Sequence, residues 1–169
     1  MRIWKRLADG GDKRAMVQLG LSYQVGDKIQ SDYPKAMDWY LRALDGNHLN
    51  NGDALNNIGV MFRDASGVRQ DRKIAYLLFL TVHMQGLGGE ETVMRANRNL
   101  RREIGELSLD ETQVALCYTV DYVRAYLRQR GKLVGVPKQL RAAATRPRFR
   151  ELDWWSRGEI APYDCPDDT

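Results

Sequence analysis

Apolar residues return at helical intervals through the first half of the chain and fall into two copies of one pattern. In the first copy Met16, Leu19, Gly20 and Tyr23 share a stripe behind Asp12, whose carboxylate suits the first free N–H groups of a helix. A loop from Val25 to Ser31 leads to Asp32, a second N-cap with Pro34 in the first turn, where a missing N–H costs little. Ala36, Trp39, Tyr40, Ala43 and Leu44 then make the stripe of helix B, which Gly46 ends. The second copy places Leu55, Ile58, Gly59 and Phe62 on its helix A and Ala75, Leu78, Phe79 and Val82 on its helix B. Leu19 to Ile58, Asp32 to Asp71 and Tyr40 to Phe79 are each offset by 39 residues, with no gap. A period of roughly 20 to 50 residues marks a solenoid, in which each hairpin hides its apolar face by stacking on a neighbour. The pattern predicts an all-α superhelical array of helical hairpins.

A glycine inside a helix costs about 1 kcal/mol against alanine. The recurrence of Gly20 at Gly59 therefore predicts close contact with a second helix at both places. The run Ala-x-x-x-Leu-Gly-x-x-Tyr, a glycine-bearing loop, then Asp-x-x-x-Ala-x-x-Trp-Tyr resembles the Sel1-like repeat (SLR) family, an α/α solenoid related to tetratricopeptide repeats. Two repeats, at about 11–46 and 52–86, carry the resemblance. The family's loop usually has two glycines before a valine. Here the first copy keeps Gly26, followed by Lys28 and Ile29, and the second keeps Gly67 before Val68, with Ala65 at the earlier position.

Outside these copies the pattern thins. Ile3, Trp4, Leu7 and Ala8 have helical spacing and resemble the end of a helix B, so the chain is expected to begin inside a hairpin, as a short cap or after removal of a signal peptide or an earlier repeat. Val93, Ala96, Leu100 and Ile104 outline the helix A of a degenerate third repeat at about 90–131, with Arg101 where Gly20 and Gly59 stand. Ser108 and Glu111 read as a capping box for a longer helix from about Leu109 to Arg130, stopped at Gly131. The solenoid is thus expected to occupy 1–131. Beyond it, at 132–169, four X-Pro steps break the pattern. Phe149 to Trp155 are expected to dock on the last helices as an end cap, before the acidic residues Asp164, Asp167 and Asp168.

With 169 residues and 43% hydrophobic content the chain suffices for one compact domain. No run approaches the roughly 18 apolar residues of a membrane span, which predicts a soluble protein, cytoplasmic, or periplasmic if a signal peptide was removed. A net charge of +4 with mixed signs argues against a nucleic-acid or other polyanion binder. Cys117 and Cys165 are too few for a metal knuckle, though one bridge between them stays open. His48 and His83 have no ligand-spaced partners, and His83 reads as a partly buried packing residue. Gly86-Leu87-Gly88-Gly89 lacks a preceding strand and a following Lys-Ser or Lys-Thr, so it reads as an interhelix turn, not a phosphate loop. Trp39 and Tyr40 read as core, not as a stacking pair for a ligand. No cofactor, metal or catalytic residue is expected.

The resemblance implies a non-enzymatic protein–protein interaction module. Family members act as adaptors, as envelope signalling regulators, and as immunity proteins that bind a cognate secreted toxin. A cell-wall-acting enzyme or a carbohydrate binder is the alternative, and it requires convergent carboxylates in the groove. The kinship with tetratricopeptide repeats implies a groove lined by successive A helices. In register, that groove takes Arg14, Val17, Leu21 and Gln24 from the first repeat, Asn56, Val60 and Arg63 from the second, and Arg95, Arg98 and Arg102 from the third. An acidic segment of a partner protein is expected along the arginines, with apolar contacts at Val17, Leu21 and Val60. The chain's own acidic tail is a competitor for the same patch.

Overall fold

The computed structural model describes residues 2–27, 29–45 and 51–116. Among them are seven helices and no strand: α1 (Arg2–Asp9), α2 (Lys13–Val25), α3 (Tyr33–Ala43), α4 (Gly52–Arg63), α5 (Arg72–Gln85), α6 (Glu90–Ile104) and α7 (Leu109–Leu116). The chain divides into two compact units at Leu107/Ser108. In the first, each helix packs on the next: α1 on α2, α2 on α3, α3 on α4, α4 on α5 and α5 on α6. The A helices also touch one another, α2 with α4 and α4 with α6. These are the paired layers of a helical-repeat solenoid, with the hairpins α2–α3 and α4–α5 as the two expected copies.

Helix starts follow the sequence. The Asp12 carboxylate accepts from the Ala15 N–H at 2.9 Å, Asp32 from Lys35 at 3.0 Å, Asn51 from Ala54 at 3.3 Å, and Asp71 from both Lys73 and Ile74. The loop inside each hairpin is locked by one bond, repeated at the same offset: Asp32 N–H donates to the Tyr23 carbonyl at 2.8 Å, and Asp71 N–H to the Phe62 carbonyl at 3.1 Å. α3 ends without a glycine among the described residues, and a side chain from a neighbour takes over. Lys13 Nζ donates to the carbonyls of Arg42 and Asp45, both at 2.9 Å.

Both helix glycines meet an aromatic ring. A Cβ built on Gly20 would lie 2.4 Å from the Tyr40 ring, and one on Gly59 would lie 2.6 Å from the Phe79 ring. Tyr40 and Phe79 are wholly buried, as are Phe62, Leu19, Leu55, Ile58 and Leu78. Burying a large apolar side chain contributes about 1.5 to 3 kcal/mol, so the rings are major terms in each hairpin. Tyr40 also brings a polar atom inside. Its hydroxyl donates to Gln24 Oε1 at 2.7 Å and receives a hydrogen bond from Asn57 of α4, while burial pushes the phenol well above its usual value. The first ring thus ties both helices of its hairpin to the next hairpin.

The loops resolve the missing glycines. Gly26 and Ala65, equivalent by the repeat, both take the left-handed conformation, at φ +76° and +55°. Ala65 is there despite its Cβ. Gly67, at φ +73°, abuts Tyr33, where a Cβ would come within 2.2 Å of the tyrosine Cβ. The turn at Gly86 to Gly89 closes α5 and opens α6 with three glycines at positive φ, as an interhelix turn.

One expectation is corrected. Ala96 and Leu100 of α6 are buried, but Ile104 is 55% exposed and the last buried position is Glu103. The buried stripe runs through Thr92, Ala96, Leu100 and Glu103, one residue short of the apolar reading. Arg101, where a third glycine was missing, is exposed. In the second unit Ser108 and Glu111 form the expected capping box before α7, with Ser108 N–H to Glu111 Oε2 at 2.9 Å and Glu111 N–H to Ser108 Oγ at 3.2 Å. Gly46, His48, the expected continuation to Arg130, Cys117, Cys165, Phe149 to Trp155 and the acidic end lie outside the described residues.

Gly59→Ala is expected to lower stability by about 1 kcal/mol although alanine favours helix, because overpacking against a buried ring costs about 1 to 3 kcal/mol. Denaturant unfolding of Gly59→Ala, Phe79→Leu and the double variant checks it, and the cycle should show the two positions to be coupled. Ala65→Gly is expected to raise stability by about 0.5 kcal/mol, since relief of the left-handed penalty exceeds the entropy gained by the unfolded chain. An unchanged or lower unfolding midpoint for Ala65→Gly contradicts it.

Candidate partner-binding face

The A helices of the repeats present ten positions where a groove was expected, and the structure sorts them. Val17 is buried with 6% of its surface exposed, and Asn56 with 3%, so neither offers a contact to a partner. Gln24 is half-buried and holds the Tyr40 hydroxyl. Arg14 and Leu21 are exposed, and Val60 is half-buried. The face of the first repeat is therefore narrower than its register implied.

Between α4 and α6 a polar seam replaces apolar packing. Arg95 Nη2 pairs with Asp53 Oδ1, which also accepts from Thr92 Oγ1 at 2.6 Å. One turn on, Asn99 Nδ2 donates to Asn56 Oδ1 at 3.1 Å while Asn99 Oδ1 accepts from Arg63 Nη1 at 2.9 Å. Arg63 also grips Asp64 through two bonds, Nε to Oδ1 at 2.7 Å and Nη2 to Oδ2 at 2.9 Å. Such bidentate geometry is the strong form of the Arg–carboxylate pair. It holds the Asp64 carboxyl below and the Arg63 guanidinium above their usual values. Arg63 and Arg95 thus serve the interface between repeats. Arg98 and Arg102, one turn apart on α6, are exposed and have no ion pair among the described residues.

At the far end of this seam a cleft of about 630 Å³ opens, lined by Arg63, Asp64, Gln70, Arg72, Arg102, Glu103 and Glu106. The Glu103 side chain is 0% exposed, and neither of its oxygens has a hydrogen-bond donor. The nearest cation is Arg72, whose Nη1 lies 3.6 Å from Glu103 Oε2 and 3.4 Å from Glu106 Oε2. Burial pushes the Glu103 carboxyl above its usual value, Arg72 and Arg63 pull it back, and Glu106 and Asp64 push it up again.

Neither Glu103 nor Arg72 was a sequence candidate. The signal was present: Glu103 stands three residues after Leu100 on the buried stripe, where a carboxylate is rare unless paired. Arg72 gave none, since it reads as an ordinary first-turn residue behind Asp71. His83 is half-buried, as expected of a packing residue. Trp39 is half-buried, with the Arg42 guanidinium 4.0 Å from its ring centre. Among the described residues no three His, Cys, Asp or Glu side chains converge as a metal's ligands would, and no helix is long and apolar enough to cross a membrane.

A family model described as the Sel1 repeat matches residues 13–48 and 52–81, the two hairpins. Residues 13–48 and 52–81 are thus two Sel1-like repeats. The solved structure of a protective antigen present in uropathogenic Escherichia coli strains, displaying an SLR fold, superposes with a TM-score of 0.53 at 16% identity. That match covers 80% of this chain and 29% of the antigen, so it speaks for the fold alone, and the Sel1-like chain spans under a third of that protein's length. Comparison with curated proteins gives no match. Sel1 repeats are protein–protein interaction modules.

Glu103→Gln tests the cost of the buried carboxylate. A carboxyl whose folded pKa is raised adds stability at acid pH and loses it as pH rises through that pKa. The variant should gain on the wild type by about 1 kcal/mol at neutral pH, in line with a buried group left without a partner, and the difference should close below the ordinary carboxylate range near pH 4.5. Urea unfolding at a series of pH values measures it.

Proposed function

We propose that this Sel1-like chain is a non-catalytic scaffold that holds a partner protein against the exposed face of its A helices. An acidic segment of the partner lies along Arg98 and Arg102, with apolar contacts at Leu21 and Val60 and with Arg14 at the first repeat. The observation that supports this is the division of labour among the arginines. Arg63 and Arg95 are committed to Asp64, Asn99 and Asp53 inside the solenoid, whereas Arg98 and Arg102 stand exposed and unpaired among the described residues, at i and i+4 on one helix. Two guanidinium groups at that spacing match a pair of carboxylates with charge-assisted hydrogen bonds. Neither is held in an ion pair of the fold among the described residues, which is what a surface kept for a partner requires.

An adaptor and a toxin-neutralising immunity protein share this binding step and differ in what is bound. Isolation of the partner by crosslinking and co-purification decides between them. With the purified partner, Arg98→Glu with Arg102→Glu is expected to weaken binding by about 2 kcal/mol or more, with helicity and melting temperature nearly unchanged. Equal affinity of the doubly reversed and wild-type proteins, measured by calorimetry, rules the acidic-segment reading out.

A further inference from the structure

The cleft at the end of the α4–α6 seam is short of donors. Two of its three carboxylates, Glu103 near the end of α6 and Glu106 just beyond it, share the Arg72 guanidinium, which stands 3.6 and 3.4 Å away, beyond normal hydrogen-bond length. An ionised carboxylate has about four acceptor sites. Both Glu103 oxygens are buried with no donor at all. The other wall groups do not relieve this. Arg63 directs three of its donors to Asp64 and Asn99 and gives Glu103 its charge but no hydrogen bond, and the Gln70 amide donates to the Arg63 carbonyl at 2.7 Å. The field of Arg102 acts on Asp64 and is not among those acting on Glu103.

We propose that the Glu103–Glu106 corner of this cleft receives one basic side chain, a guanidinium or ammonium group carried by a partner protein. A carboxylate entering here adds acceptors to a corner already in surplus. A cationic donor meets a buried carboxylate that has no hydrogen-bond donor and an exposed one beside it. Arg72 covers the corner: its side chain is 36% exposed and makes no hydrogen bond among the described residues, so its ion pairs with Glu103 and Glu106 are what an entering basic group has to displace. Glu106, 59% exposed, stands at the rim as the first contact, and Glu103 is the buried anchor. This site uses the acceptors Glu103 and Glu106, whereas the acidic-segment reading uses the donors Arg98 and Arg102, and the two stand or fall separately. A partner segment that satisfies both carries a basic residue beside acidic ones.

The test is titration of the full, isotope-labelled chain with Nα-acetyl-arginine amide and Nα-acetyl-lysine amide, followed by magnetic resonance at the amides of 103–106 and the Arg72 Nε. Nα-acetyl-glutamate amide is the counter-probe. Expected is a saturable response to the basic probes, with affinity on the order of millimolar, and none to the acidic one. Arg72→Ala should tighten binding of the basic probes about ten-fold, because the competing guanidinium is gone. Glu103→Gln and Glu106→Gln should each weaken it, and Glu106→Gln, at an exposed position, serves if the buried substitution does not fold. No saturable response at these residues in either wild type or Arg72→Ala overturns the proposal. An equal response to the acidic probe, or undiminished binding in the folded Gln variants, also overturns it.

Discussion

The fit of an aromatic ring against a helix glycine sets the spacing of everything else in this chain. Tyr40 rests on Gly20 and Phe79 on Gly59, so close that a single methyl group at either glycine would enter the ring. Because both rings are wholly buried, the A and B helices of each hairpin are drawn together until little but ring and backbone separates them. A solenoid multiplies any local spacing along its length. Two ring-on-glycine contacts at an offset of 39 residues therefore give two like hairpins, and like hairpins stack. The glycine loses about 1 kcal/mol of helix propensity at each site, which the burial of a large ring exceeds.

The two contacts differ in one atom, and that atom matters between the hairpins. The Tyr40 hydroxyl reaches Gln24 on its own hairpin and Asn57 on the next, whereas Phe79 has nothing to offer α6. The second junction is secured differently, by the seam of Asp53, Asn56, Arg63, Arg95 and Asn99 between α4 and α6. Polar seams are directional, and they fix the register of one helix on another where apolar stripes allow sliding. The consequence for binding follows directly. Side chains recruited into the seam are unavailable to a partner, whereas Arg98 and Arg102 lie outside it on the same helix, exposed and without an ion pair among the described residues.

The hairpins were legible because their causes are local. N-caps at Asp12, Asp32 and Asp71, stripes at helical spacing, and the repeated glycines each act within a few residues of where they stand. The exposed side of the A helices was legible only in outline. Register put Arg14, Leu21, Arg98 and Arg102 at positions that are exposed, yet it also put out Val17 and Asn56, which are buried, Asn56 under α6. Periodicity assigns a side chain to a helix face, but how much of that face the next helix hides depends on tertiary stacking. Ile104 shows the same limit from the other side. Apolar spacing nominated it for the interior, while the helix turned Glu103 inward instead. No rule that ranks residues by hydropathy chooses the carboxylate over the isoleucine.

That choice bears on what the end of the array is for. Had the last turn of α6 served packing alone, an apolar residue at 103 would have buried surface at no electrostatic cost, and Ile104 was one position away. Instead a carboxylate is desolvated, its pKa is raised, and the nearest arginine, Arg72, stays beyond hydrogen-bond length from both acids it faces. Breaking or starving a buried ion pair usually costs more than any stability the pair returns. A feature that lowers stability at a position where the neighbouring residue supplies the remedy points to a role outside the isolated fold. In a scaffold whose repeats are protein-binding modules, an unsatisfied carboxylate opening onto a cleft completes its hydrogen bonds when a partner supplies the donor.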